Sequence, residues 1–202
     1  MSGMHFLIGC KTEEFVILAS DKIAYLNGFF VSKDDNKNVK LADKIYMCSI
    51  EDRADKFNQL IQTYFQLQRS RYDYELSPSA THNWLYQAIV ESQRSENPWK
   101  LDVLLAGFDD KEGKTWLSLI DQNGSENQNK SNCFFRASNA NFSNIDTVAM
   151  SNLYRPDMTR EKALSAVKKC IQESQKNIST NLGIFKFVII DKKGIHQEDI
   201  II

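Results

Sequence analysis

The chain is short of the residues that usually announce a function. Its 202 residues include 8 glycines, and these are widely separated. A loop that cradles phosphate needs several glycines within a few positions, so both familiar nucleotide-binding motifs are excluded, and the kinase and dinucleotide readings go with them. The 3 histidines, His5, His82 and His196, stand apart with no HxxxH or HxE spacing, so a metal site could arise only by convergence over long sequence distances. His82 is expected on a helix surface and His196 beside a turn. The 4 cysteines, Cys10, Cys48, Cys133 and Cys170, are scattered singly without a CxxC pair, which predicts reduced core thiols rather than a disulfide framework or a zinc centre.

An excess of one charge is missing as well. With 25 basic and 26 acidic residues the net charge is −1, so no field gathers nucleic acid or anionic lipid. No window reaches ~18 consecutive uncharged apolar residues, and the start MSGMHFLIG lacks a basic n-region. Neither membrane spanning nor export is expected, and the expected location is the cytoplasm and nucleus. No cofactor is expected. A length of 202 residues suits one domain, residues 1–202, with a sizeable core.

What is present is a regular alternation of strand groups and helix pairs. Residues 5–10 and 14–20 predict two strands around the polar KTEE, with further strands near 28–32 and 44–49. From Ser49 the apolar period changes: Ala54, Phe57, Leu60, Ile61, Tyr64 and Phe65 recur at helical spacing, and Ser49-x-x-Asp52 resembles a capping box. A second helix opens at Ser77-Pro78, with Ala80, Trp84, Leu85, Ala88 and Ile89 as its buried stripe. The run LDVLLAGFDDKEGKTWLSLID predicts two strands about an Asp-Asp-Lys-Glu-Gly turn, the first apolar enough to be covered on both faces. Residues 122–132 are polar and read as an exposed loop. A strand at 133–138, a helix near 143–154, a helix over about 160–176 and a closing pair of extended segments follow. Strands buried on both faces need two covering layers, which predicts sheets packed together with helices outside each.

One stretch raises a chemical question. In FVILASDKIA, at residues 15–24, a strand built for burial delivers Ser20, Asp21 and Lys22 at its end. An Asp so placed either opens a turn or marks an active site held on a rigid sheet.

The longer run FLIGCKTEEFVILASDKIA resembles the N-terminal hairpin of proteasome beta subunits, in which the strand ends in an Asp beside the catalytic threonine. YELSP at 74–78, LLAGFD at 104–109, LYRPDMTREKA at 153–163 and FVIIDKKGI at 187–195 resemble, in the same order, the non-catalytic member at the fourth position of the beta ring. The resemblance implies an α+β architecture, the N-terminal nucleophile hydrolase fold, a four-layer αββα sandwich of two antiparallel sheets between helix pairs. It also implies partners: neighbouring beta subunits in a seven-membered ring, alpha-ring subunits and the opposite beta ring, with no nucleic acid and no membrane.

An active member of the family attacks a peptide carbonyl with the hydroxyl of an N-terminal threonine whose α-amine acts as base. By the family's spacing that position falls at His5, preceded by Met4 rather than by the glycine after which the family is cleaved. Asp21 matches the family Asp, and Lys37 falls at the spacing of the family Lys. The glycine whose N–H forms the oxyanion hole falls at Glu51, which would put a carboxylate where negative charge must develop. The later Gly-Ser-Gly and Asp-x-x-Ser elements become about Ala140-Asn141-Phe142 and Asn177-Ile-Ser-Thr180. Ser2 lies three residues too early and Cys10 five too deep to replace the nucleophile. The expectation is therefore no catalytic residue, with Asp21 and Lys37 kept as a structural ion pair. An active hydrolase with an unforeseen nucleophile and a free-standing binding module are the competing readings. The tail Ile200-Ile-Ile202 and the aromatic stretches NWLY and TYFQLQRSRYDY are candidate contact segments, core packing being the alternative for Trp84 and Tyr64.

Overall fold

The computed structural model describes residues 5–26, 29–32, 34–50, 53–128, 132–137, 153–176 and 183–202. Twelve strands and three helices lie among them: β1 (Phe6–Lys11), β2 (Phe15–Asp21), β3 (Ala24–Leu26), β4 (Phe29–Ser32), β5 (Asn38–Ala42), β6 (Ile45–Ile50), α1 (Ala54–Tyr72), α2 (Pro78–Ser92), β7 (Asp102–Asp109), β8 (Lys114–Ile120), β9 (Glu126–Gln128), β10 (Cys133–Ala137), α3 (Arg160–Lys176), β11 (Ile184–Asp191) and β12 (Gly194–Ile201). They form two antiparallel five-stranded sheets, ordered β10-β1-β2-β11-β12 and β5-β6-β7-β8-β9, and a small β3-β4 ribbon.

The strand period of two explains how these sheets stack. On β1 and β2, Phe6, Ile8, Cys10, Phe15, Ile17 and Ala19 point to one side, where they meet Ala163, Val167, Cys170 and Ile171 of α3. Leu7, Val16 and Leu18 point to the other, against Cys48, Leu104, Ala106, Leu117 and Leu119 of the second sheet. The far face of that second sheet, with Met47, Val103, Leu105 and Ile120, is covered by Phe57, Ile61 and Phe65 of α1 and Leu85 and Ile89 of α2. Three apolar interiors between four layers thus follow from alternating side chains on strands that are buried on both faces. All seven residues of β2 are buried.

Gly9 lies where the two sheets are tightly packed. A Cβ there would stand 2.8 Å from Leu117 Cδ1 and 3.0 Å from Leu104 Cδ2, so the bare backbone makes room for two leucines of the facing sheet.

Several local expectations change. Ser49 is no helix cap: it lies in β6 and its hydroxyl donates to Asn58 Oδ1 at 2.7 Å. Arg53 occupies the N-cap of α1 in the left-handed region, with no side-chain cap, and its guanidinium lies over the Trp99 ring at 4.5 Å. Ser77 does cap α2, accepting from Ala80 N–H, with Pro78 in the first turn. His82 is fully buried rather than on the helix surface, because α2 turns that flank toward the second sheet, where the His82 ring lies 6.2 Å from Trp116. Leu60 belongs to the apolar period of α1 yet is 53% exposed. Tyr64 and Trp84 stack on each other at 4.1 Å against the α1–α2 interior, so both pack the fold.

The polar run 122–132 is not wholly loop. Asp121 Oδ1 accepts from the N–H groups of Asn123 and Ser125, and Gly124 supplies the positive φ of the turn. The chain is thereby reversed into β9, which extends the second sheet by pairing with β8. Strands β3 and β5 are likewise short additions that the apolar pattern did not mark. The helix expected near 143–154 lies, but for its end, outside the described residues.

Candidate functional site

At the end of β2 the sequence delivers Asp21 where β1, β2 and β11 converge. Phe185 of β11 is its register partner, and Phe6 at the start of β1 donates its backbone N–H to Asp21 Oδ1 at 2.7 Å. Oδ2 accepts from Ile23 N–H at 3.2 Å and from Lys37 Nζ at 2.8 Å. His5 Nδ1 stands 3.3 Å from the same oxygen. The carboxylate is completely buried, yet both oxygens are satisfied, as burial of a charge requires.

Lys37 reaches this point from the segment before β5. Its ammonium donates to Asp21 Oδ2, to the Asp21 carbonyl at 2.9 Å and to the Ile23 carbonyl at 2.8 Å, with the Asp35 carboxylate at 3.6 Å. An ammonium has three protons to give, and three acceptors take them. The family resemblance implied this pair, and the structure brings Asp21, Lys37 and His5 together.

Burial by itself would push the Asp21 carboxyl up, but the His5 hydrogen bond and the Lys37 ammonium outweigh it, and the group is held below its ordinary value. The carboxyl is thus ionised in the fold.

A second polar cluster adjoins the first, and the sequence did not reveal it. Asn38, next to Lys37, donates Nδ2 to Ser20 Oγ at 2.7 Å, and its Oδ1 accepts from Cys48 Sγ. Ser20 alternates with Asp21 along β2 and so projects from the opposite face of the strand. Burial pushes the Cys48 thiol up to about 12. A hydroxyl locked to an amide and a thiol held protonated are poor nucleophiles. The signal for this cluster was faint: Asn38 opens a strand of mixed polarity that periodicity does not mark.

The other residues of sequence interest do not join the site. His82 is buried behind the second sheet. His196 sits on β12 just past the turn, 3.9 Å from the Asp191 carboxylate. Cys10 faces the α3 side of its sheet. Glu51, Ala140 to Phe142, and residues 177–180 lie outside the described residues. Among the described residues, no group of three or more metal-ligating side chains converges, and no helix is long and apolar enough to cross a membrane.

Comparison with known proteins supplies the context for this geometry. The family model described as "Proteasome subunit" matches residues 5–190. The chain is 36% identical over 201 residues to proteasome subunit beta type-2 of Caenorhabditis elegans, covering 97% of this chain and 98% of that protein. It is 35% identical over 199 residues to proteasome subunit beta type-4 of Saccharomyces cerevisiae, covering 97% and 98%. To proteasome subunit beta type-2 of Oryza sativa it is 31% identical over 198 residues, covering 96% and 89%.

Proposed function

Because the chain belongs to the proteasome subunit family as a beta subunit of the core particle, with that family's α+β sandwich of two antiparallel sheets between helical layers, we propose that it is a member that does not cut peptides. Its role in protein degradation is to complete the seven-membered beta ring, to contact the alpha ring and the opposite beta ring, and to wall the chamber in which other subunits act. The cytoplasm and nucleus are the proposed places of work, and residues 1–202 are proposed to form one domain.

The observation that carries this reading is the identity of the group served by the Asp–Lys pair. At the end of β2 stands an imidazole, His5, 3.3 Å from Asp21, where the family's chemistry needs a hydroxyl and a free α-amine on one residue. With residues 1–4 retained, as this reading holds, position five carries an amide nitrogen rather than a free α-amine. An imidazole can act as a base, but among the described residues the neighbouring hydroxyl and thiol, Ser20 and Cys48, are both tied to Asn38. The three protons of Lys37 are spent on Asp21 and Ile23. The pair supports the strand end and is assigned no catalytic step.

The test is covalent. Treating the purified particle with a mechanism-based probe of N-terminal threonine hydrolases should add mass to other beta subunits and none to this chain, whose intact mass should still include residues 1–4. Probe attached to this chain, or a mature chain beginning at residue 5, would overturn the reading. Elution of the chain alone near its own 23.3 kDa in native extract would favour a free-standing module instead.

A further inference from the structure

Cys10 and Cys133 are far apart in sequence but directly opposed in space. They are register partners on the antiparallel strands β1 and β10, with their sulfurs 3.9 Å apart. The ladder fixes what kind of pair this is. The Lys11 N–H bonds to the Asn132 carbonyl at 2.7 Å, so 11 and 132 form a hydrogen-bonded pair, and 10 and 133, one step along, form a pair without ladder bonds. At such positions the Cα atoms approach to about 4.5 Å and the side chains lean together. That lies within the ~4.4–6.8 Å span a disulfide accepts. Tyr154, whose hydroxyl donates to the Lys11 carbonyl at 2.7 Å, pins β1 one residue further on.

Access differs along the pair. Cys10 is buried, whereas Cys133 is half-buried on the strand that, among the described residues, edges its sheet, where a small oxidant can reach it. A third thiol, Cys170 of α3, packs into the same apolar interior and provides a built-in competitor.

We propose that Cys10 and Cys133 are a site of oxidative modification, closing to an intramolecular disulfide when the particle meets a peroxide. The Cys133 thiolate attacks the peroxide oxygen. The O–O bond breaks, an S–O bond forms, and the departing oxygen leaves as hydroxide or alkoxide that takes up a proton. The Cys10 sulfur then displaces the sulfenic acid's hydroxyl group, which leaves as water with the proton that Cys10 gives up, and the S–S bond forms. Two thiols lose two electrons and two protons, and the peroxide is reduced by two electrons to water, or to water and an alcohol. Rotation about the two Cα–Cβ bonds brings the sulfurs from 3.9 Å to the ~2.0 Å of a disulfide. The neighbouring Cys10 sulfur and burial hold the Cys133 thiol above its ordinary range, so only a small thiolate fraction is available and the closure is slow. The product bolts β10 to β1 under conditions that damage proteins. In the structure all four cysteines are free thiols, as the sequence reading expected.

Purified assembled particle, freed of reductant, is titrated with hydrogen peroxide, alkylated in denaturant and digested without reduction for mass spectrometry. The expected result is a peptide pair joined through Cys10 and Cys133, rising with peroxide and abolished by dithiothreitol, while Cys48 remains fully alkylated. Complete alkylation of Cys10 and Cys133 across the titration overturns the proposal, as does Cys133 carried to sulfinic acid with Cys10 free, or a link from either to Cys170.

Discussion

Lys37 Nζ lies 2.8 Å from Asp21 Oδ2 and gives its remaining protons to the Asp21 and Ile23 carbonyls, so one side chain from the approach to β5 closes the end of β2. Both partners are nearly or fully excluded from water. Removing one partner strands a buried charge. Asp21→Asn or Lys37→Met should each destabilise the fold by about 3–5 kcal/mol, read as a lower denaturant midpoint of the isolated chain or as poor incorporation into the particle. The double variant should cost less than the sum of the two, because neither then leaves an unpaired ion; additive losses would show that the pair is not coupled.

The same carboxylate sets an acid limit. Its folded value lies below its ordinary one, so its contribution to stability is present in full above the unfolded value, about 3.9, and is lost as pH falls through the folded value. The stability gap between the native chain and Asp21→Asn should shrink below about pH 4. Urea unfolding at a series of pH values measures this directly, and a gap that widened on acidification would contradict it.

At the sheet interface, Gly9 faces Leu117 and Leu104 with no room for a branched side chain. Gly9→Val should destabilise by about 1–3 kcal/mol through overpacking, with Gly9→Ala costing less because the leucine methyl groups that it meets can rotate aside. Thermal unfolding of the two variants gives the ranking.

The helix starts provide a paired test. Ser77 accepts from Ala80 N–H at 3.2 Å, so Ser77→Ala should cost about 1 kcal/mol as a lost cap. Ser49→Ala acts elsewhere: it removes the hydroxyl bonded to Asn58 in a buried strand and leaves a buried acceptor short of a donor, at about 1–3 kcal/mol. Protection of the first-turn amides in hydrogen exchange separates the two, since Ser77→Ala should loosen the start of α2 whereas Ser49→Ala should leave the start of α1 unchanged.

The elements that could be read in advance are those whose own residues settle their conformation. Helix α3 has the predicted bounds because an apolar stripe of period 3.6 needs one partner surface, and β7 and β8 flank an Asp-Asp-Lys-Glu-Gly turn that carries its own geometry. That residue five is a histidine, which carries no hydroxyl, is written in the sequence whatever the fold. Strands β5 and β9 could not be read, because short polar strands are held by the ladder of a neighbour, β6 or β8, and carry little pattern of their own. The burial of His82 depended on which flank of α2 met the second sheet. Only chain folding over long distances brought Lys37 to Asp21 and Cys133 to Cys10, because the residues between them leave open which strands become neighbours. Pairing and layer stacking decide that, through the burial of both faces of β1 and β2.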